Sequence, residues 1–176
     1  MKYALVYGLL SGLVVIAVMC TGFFFAPGHD NIMHTLWFGY LVMLVALTFI
    51  FVGIKRYRDV ERGGVIKFLP AFGLGLGIAF VAGLAYAAGW EAYLAATDYT
   101  FMDEFIAGIR HTREAAGVTG PALAREMAEL ETLRVQYQNP LFRLPMTFIE
   151  IFPVGFLVAL VSAALLRNPK FLRSAG

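Results

Sequence analysis

Two carboxylates stand in apolar surroundings, where a charged group is costly, and they are the first candidates for chemistry. Glu150 lies within the apolar run 146–166, and Glu91 follows Trp90 near the end of another such run. A carboxylate in an apolar environment needs a partner or a bound proton, so such groups often mark ion or proton sites. Pro153 follows Glu150 by three residues and deprives a preceding carbonyl of its helical donor. A carboxylate beside such a break can form an ion or substrate site.

A structural role is the alternative for both acids. Glu91 and Glu150 approach the same end of the molecule and could share one polar pocket. Each could instead pair with a neighbouring cation, for which Arg143 and Arg110 are the candidates. In that case the acids only fix the order of the helices.

The composition indicates which elements must position these groups. Of the 176 residues, 60% are of the types AVILMFWYC and 15% are charged, whereas a soluble protein has about 25% charged residues. The mean hydropathy is +0.73. One cysteine excludes a disulfide scaffold, and a net charge of +2 spread over the chain predicts no nucleic-acid partner. The sequence therefore predicts an integral membrane protein.

Four apolar runs are close to the length of about 20 residues that a helix needs to cross a bilayer. The runs do not alternate apolar and polar residues, so lipid-facing strands are excluded and helices are predicted. We expect a single all-α membrane domain over residues 1–176. Its predicted spans are about 4–26, 36–54, 68–95 and 146–166.

Basic residues predict how this domain is oriented. Five of them lie in the connection between the second and third spans: Lys55, Arg56, Arg58, Arg62 and Lys67. The connection 27–35 has no lysine or arginine. We therefore predict both termini on the cytoplasmic side of a bacterial inner membrane. The basic connection would anchor this topology and could also contact anionic lipid headgroups. Asp59 and Glu61 dilute its charge and favour internal pairing.

The predicted insert 96–144 then lies on the extracytoplasmic side and contains two amphipathic helices. The first begins with a capping signal at Thr100 and Asp103, and Gly117 ends it. The second begins after Thr119, carries Arg125 and Glu129 as a possible pair, and stops at Asn139 and Pro140. We expect a helical hairpin over the ends of the spans, and a ligand-gripping lid is the alternative.

Small residues at a spacing of four predict close helix contacts. They are Gly8 and Gly12 in the first span and Gly73 and Gly77 in the third. These faces would pack within the chain or join copies into a homo-oligomer. His29, Asp30 and His34 cluster in one connection but lack a fourth ligand, so no metal site is predicted. No cofactor motif and no catalytic set is found.

Several motifs occur in a characteristic order along the chain: Gly39-Tyr40, residues 49–59, residues 63–66, Trp90-Glu91, and the block 139–155 with Glu150 and Pro153 near its end. In these motifs the chain resembles a bacterial membrane family, the domain-of-unknown-function family 4199, over almost its whole length. The resemblance implies the four-span architecture. It implies no activity and no catalytic residue.

Three functions are compatible with the sequence. The first is a non-enzymatic membrane scaffold or partner subunit, with structural roles for Glu91 and Glu150. The second is a small oligomeric carrier or channel for an ion, a proton or a lipid-linked anion, in which Glu150 titrates beside Pro153 and Glu91 contributes. An enzyme acting on lipid ranks last, because no nucleophile or metal set is recognisable.

Overall fold

The structure is a computed structural model that describes the backbone of residues 1–25 and 32–172 and the side chains of residues 1–18 and 39–172. All regular structure in these residues is helical, which confirms the predicted all-α class. The helices are α1 (Lys2–Phe25), α2 (Ile32–Glu61), α3 (Phe68–Ala96), α4 (Phe101–Ala115), α5 (Gly120–Tyr137) and α6 (Pro140–Leu166).

Three helical stretches among the described residues are long and apolar enough to cross a membrane. They are Gly39–Glu61, Phe68–Ala96 and Pro140–Leu166. The stretch Lys2–Val18 of α1 is apolar but shorter. The length and composition of these three helices indicate a membrane protein, and a fourth span in α1 stays a prediction.

Two helices extend beyond the predicted spans. α2 continues from residue 54 to Glu61, and α6 begins at Pro140, six residues before the predicted start at Met146. The side chain of Asn139 caps α6 by accepting a hydrogen bond from the Leu141 amide at 3.0 Å. Hydropathy marks where a helix becomes polar, whereas capping determines where it ends.

The four long helices pack as a bundle in which α1 and α6 each contact both α2 and α3. The most extensive contacts join α3 to α1 and to α6. The core lies between all four helices and consists largely of fully buried aliphatic side chains, among them Leu47, Ile50, Ile78 and Ile151. A buried hydroxyl adds one polar contact, since Ser11 donates to the Ala46 carbonyl at 2.9 Å.

Glycines permit the close approach of α1 to α3. A Cβ added at Gly12 would lie 2.6 Å from the Ala85 Cβ and 2.9 Å from the Ala82 carbonyl oxygen. Gly8 meets α3 in the same way, whereas a Cβ at Gly73 would have no neighbour within 4 Å. The predicted close packing is thus confirmed for Gly8 and Gly12. Self-association through any of the four glycines stays a prediction.

The insert forms a helical hairpin of α4 and α5. Arg113 pairs with Glu126 at 2.9 Å, and Arg134 pairs with Asp103 at 2.8 Å, so the two helices run antiparallel. The hydrogen bonds from Arg134 to Glu131 and Asp103 raise the pKa of the guanidinium. Exposed pairs of this kind add little stability. They fix the register of the hairpin.

The ends of the hairpin helices agree with the sequence in part. Gly117 follows α4 at φ +78°, as predicted for its stop. Thr100 lies at the predicted N-terminal position, but the capping bond is not formed, because Thr100 has helical dihedral angles. Its hydroxyl donates to the Thr97 carbonyl at 3.0 Å and contacts Glu104 instead of Asp103. The predicted pair of Arg125 with Glu129 is present at 3.4 Å.

One predicted cluster falls outside the described residues. His29 and Asp30 lie in the connection before α2, and the side chain of His34 is not described.

The α1–α3 contact leads to a first prediction. Gly12→Leu should lower the unfolding temperature in detergent, at a cost of about 1–3 kcal/mol, because backbone atoms of α3 must move to admit the side chain. Gly73→Leu is the matched control, since it adds the same side chain to a helix at an open position. Thermal unfolding followed by tryptophan fluorescence measures both. Equal losses in the two variants would contradict the packing described here.

Candidate functional site

A buried ion pair joins α3 to α6 at the end of the bundle that carries the hairpin. Arg143 donates from Nε to Glu91 Oε1 at 2.5 Å and from Nη2 to Glu91 Oε2 at 2.6 Å. The third nitrogen, Nη1, donates to the Tyr137 carbonyl at 2.8 Å. The Arg143 side chain is 3% exposed and that of Glu91 is 24% exposed. Of the two predicted partners for Glu91, the structure therefore selects Arg143 and not Arg110.

Aromatic rings surround the same guanidinium. The Arg143 carbon Cζ lies 5.1 Å from the centroid of the Tyr99 ring and 5.6 Å from that of Tyr137. The Trp90 indole donates to the Tyr137 hydroxyl at 2.7 Å, and its ring meets that of Phe101 edge-on at 4.9 Å. Cation–π contacts are strongest where water is excluded, as around this buried arginine. The cluster therefore ties the hairpin to α3 and α6.

Backbone strain accompanies this arrangement. Asp98 and Tyr99 follow one another with φ of +50° and +58°, in a left-handed conformation that costs about 1–2 kcal/mol for each ordinary residue. The Tyr99 amide donates to the Leu94 carbonyl at 2.8 Å, which closes the turn after α3. This turn places the Tyr99 ring over Arg143. The strained segment thus lies at the ion pair.

The Tyr137 hydroxyl connects the ion pair to the second candidate acid. Burial raises the pKa of this hydroxyl, which therefore stays protonated near neutral pH. The charges of Arg143, Glu150 and Glu91 all act on it. No hydrogen bond or ion pair among the described residues joins the two acids. Trp90 and Glu91 lie at the Arg143 cluster, whereas Glu150 acts on Tyr137 only through its charge, and a single site formed by all three stays a prediction.

Glu150 differs from Glu91 in its surroundings. Its side chain lies on the exposed face of α6, and its polar neighbour is the hydroxyl of Tyr86, a buried side chain of α3. No lysine or arginine among the residues with described side chains forms an ion pair with Glu150. Tyr86 was not foreseen from the sequence, where a hydroxyl between Ala85 and Ala87 was the available signal.

Pro153 lies on the exposed face of α6 together with Glu150. The helix does not end there, since α6 continues through both Pro145 and Pro153. Because proline has no amide hydrogen, the Ile149 carbonyl still lacks its helical donor, as the sequence predicted. The carboxylate and the free carbonyl are therefore one residue apart in the chain.

The five basic residues predicted between the second and third spans do not form one surface, and three of them, Lys55, Arg56 and Arg58, lie on α2. Arg58 is fully buried and donates to the carbonyls of Phe171 at 2.9 Å and Leu172 at 3.1 Å, and to Asp59 at 2.7 Å. It holds the segment after α6, where helix carbonyls are free to accept. The structure therefore does not support a headgroup contact for Arg58.

The other four basic side chains lie at or near the surface. Lys55 pairs with Asp59 at 2.7 Å, and Arg62 donates to the Tyr57 hydroxyl at 3.0 Å while lying against its ring. Arg56 and Lys67 are exposed. Internal pairing through Asp59 is thus present, as the sequence favoured.

The ion pair leads to a second prediction. Glu91→Leu should destabilise the protein by about 3–5 kcal/mol, because Arg143 is left buried and charged without its partner. Adding Arg143→Met should restore much of this loss, since an apolar pair replaces the ion pair. Unfolding temperatures of the two single variants and the double variant in detergent measure the coupling.

The control for this cycle is Glu129→Leu, which removes an acid from an exposed pair on the hairpin. It should leave the unfolding temperature unchanged. Additive losses in the Glu91 and Arg143 variants would show that the two side chains do not depend on each other.

The family model described as protein of unknown function (DUF4199) matches residues 6–168. No curated protein and no solved structure matches the chain.

Proposed function

The chain belongs to the DUF4199 family of proteins of unknown function, whose model covers most of its length, and we propose that it is a non-enzymatic partner subunit or scaffold in a bacterial inner membrane. In this proposal the face of α6 that carries Glu150 contacts another transmembrane helix. The rest of the bundle and the hairpin hold that face in position for its partner.

The proposed topology has four spans, with α1 as the first, both termini in the cytoplasm and the hairpin of α4 and α5 outside. Support comes from the three long apolar helices, from the length of α1, and from the basic residues in the α2–α3 connection. Buried guanidinium groups also lie near both ends of α6. Arg143 and Leu166, whose carbonyl accepts from Arg58, are about 35 Å apart along the helix, which is close to the thickness of a hydrocarbon core.

The lack of a cationic partner for Glu150 among the described side chains carries the proposal. Glu150 lies about 10 Å along α6 from Arg143, inside the apolar stretch. Its exposed neighbours are apolar, with Ile149 64% and Leu157 58% exposed. A carboxylate facing lipid at this depth costs kcal/mol even after local adjustment, so intramembrane acids almost always face protein or water. A helix of a partner that offers a cationic or hydroxyl donor would satisfy it.

Glu91 has a different role in this proposal. Its two oxygens and all three nitrogens of Arg143 are engaged within the chain. A group that is satisfied in this way has little left to offer a ligand. The ion pair would therefore fix the geometry of the bundle, while Glu150 would make the contact with the partner.

Self-association is one form that the partnership could take. Gly8 and Gly12 are already used in the contact with α3, and Gly77 has only the Ala4 Cβ at 3.4 Å from an added Cβ. Gly73 faces open space. A homo-oligomer built on these glycines would therefore use Gly73 and the edge of Gly77.

A carrier is the second candidate, and one observation favours it. The Tyr86 side chain is buried beside Glu150, and the charges of both candidate acids act on the Tyr137 hydroxyl. A row of phenols and carboxylates of this kind could pass a proton towards the outer surface. Four helices form a narrow path, so a carrier would also need a second copy.

The proposed topology is tested by labelling. In a Cys20→Ser background, Ala116→Cys should react in intact cells with a membrane-impermeant maleimide, because Ala116 ends the outer helix α4. Val65→Cys, in the exposed α2–α3 connection, should react only after lysis. Reversed labelling of the two positions would invert the orientation, and equal labelling of both would put the hairpin and the connection on one side.

The role of Glu150 is tested by two substitutions. Glu150→Leu should dissociate the complex that the full-length protein forms in mildly solubilised membranes, because the polar contact is lost, and size on a native gel measures this. Glu129→Leu, an exposed acid of the hairpin, is the matched control and should leave the complex intact. Glu150→Gln should leave proton flux in proteoliposomes unchanged. An intact Glu150→Leu complex together with lost flux in Glu150→Gln would favour the carrier instead.

A further inference from the structure

We propose that a shallow depression on the exposed side of α2, near the C-terminal end of this helix, binds the phosphate headgroup of an anionic glycerophospholipid. Arg56 is the residue that holds the phosphate. This inference rests on the topology proposed above, in which this end of α2 lies at the cytoplasmic surface of the membrane. It selects one of the four basic residues that lie at or near the surface between positions 55 and 67.

The shape of the site comes from one helix face. The depression has a volume of about 310 Å³ and is lined by Val52, Lys55, Arg56, Asp59 and Val60. These positions follow one another at spacings of three and four residues or are adjacent, which places them on one side of a helix. Val52 is 44% exposed and Val60 is 65% exposed. The depression therefore combines exposed valine side chains with charged ones.

The charges in and behind the depression favour an anion. Asp59 accepts from Lys55 at 2.7 Å and from Arg58 at 2.7 Å, so one carboxylate is shared by two cations. Arg56 is exposed and forms no ion pair within the described residues. Two cations are thus occupied by the Asp59 carboxylate, and Arg56 is the cation of the depression that a ligand can reach.

Asp59 also gives the site its rigidity. Its side chain is only 11% exposed, because it is held between Lys55 and the buried Arg58. Arg58 in turn is fixed by the carbonyls of Phe171 and Leu172, in the segment after α6. The depression is therefore supported by the bundle rather than by a mobile loop.

The apolar residues indicate a lipid rather than a free anion. Above the depression, towards the middle of the proposed membrane, Leu44 and Val45 are 49% and 58% exposed on α2. An acyl chain can follow these side chains and Val52 while its phosphate lies at Arg56. A guanidinium binds phosphate oxygens by paired, charge-assisted hydrogen bonds. Inorganic phosphate can form the hydrogen bonds to the guanidinium, but it has no acyl chain to contact the apolar side chains.

Other basic residues of the connection lack this combination. Arg62 already donates to the Tyr57 hydroxyl and lies against its ring at 5.5 Å. Lys67 is exposed just before α3 and does not line the depression. Lys67 is thus a suitable control for general attraction between a basic loop and an anionic membrane.

The test compares Arg56→Gln with Lys67→Gln in the full-length protein. Delipidated protein in detergent is titrated with phosphatidylglycerol or phosphatidylcholine, and bound lipid is counted by native mass spectrometry. Wild type and Lys67→Gln should retain one preferred phosphatidylglycerol, whereas Arg56→Gln should bind it about fivefold more weakly. Both side chains are exposed, so the unfolding temperatures without lipid should be equal.

Three results would overturn the site. They are equal weakening in both variants, equal binding of the two lipids by wild type, and displacement of the lipid by millimolar inorganic phosphate. The last of these would assign Arg56 to a free phosphate. Labelling of Val65→Cys from outside the cell would instead refute the topology, which distinguishes failure of the proposed function from failure of this site.

Discussion

The bidentate ion pair between Arg143 and Glu91 is the interaction on which the hairpin end of the bundle depends. Lipid offers no water to a charge, so a guanidinium brought to the end of a bundle must find its acceptors in protein. Here it finds both oxygens of one carboxylate and the last carbonyl of α5. The same group fixes α3 against α6 and gives the hairpin its attachment. The left-handed turn at Asp98 and Tyr99 is the backbone strain that accompanies this set of contacts around Arg143.

Packing between the helices follows a different rule from packing in a soluble core. Lipid tails are as apolar as leucine, so exclusion from water cannot drive the helices together. Close approach does so instead, through glycines such as Gly12 against α3 and Gly155 against Ala79. Large side chains then remain for the outer surface, where Leu13 and Leu157 are more than half exposed. Small residues thus lie at the closest helix contacts, while large apolar side chains both fill the core and cover the outer surface.

Much of the fold could be predicted because its signals are local. Apolar runs of bilayer length predicted the long helices, and Gly117 predicted the end of α4. Helix ends at Glu61 and Pro140 were missed, since hydropathy reports solvent preference rather than capping. The pairing of Glu91 with Arg143 could be proposed but not selected, because the two residues are 52 positions apart. Arg58 was misjudged for a related reason: its acceptors lie more than 100 positions away in the chain.

The two buried guanidinium groups have a mechanical consequence. Arg143 locks one end of α6 to α3, and Arg58 locks the segment beyond its other end to α2. If this helix moved along its axis or rotated about it, the hydrogen bonds of both guanidinium groups would break together. α1 has no buried guanidinium among its described residues and is held by glycine contacts to α3, by the Ser11 hydroxyl, and by Tyr3 and Lys2, which both contact Glu61 of α2. α6 is therefore the helix whose position is fixed by buried charges at both of its ends.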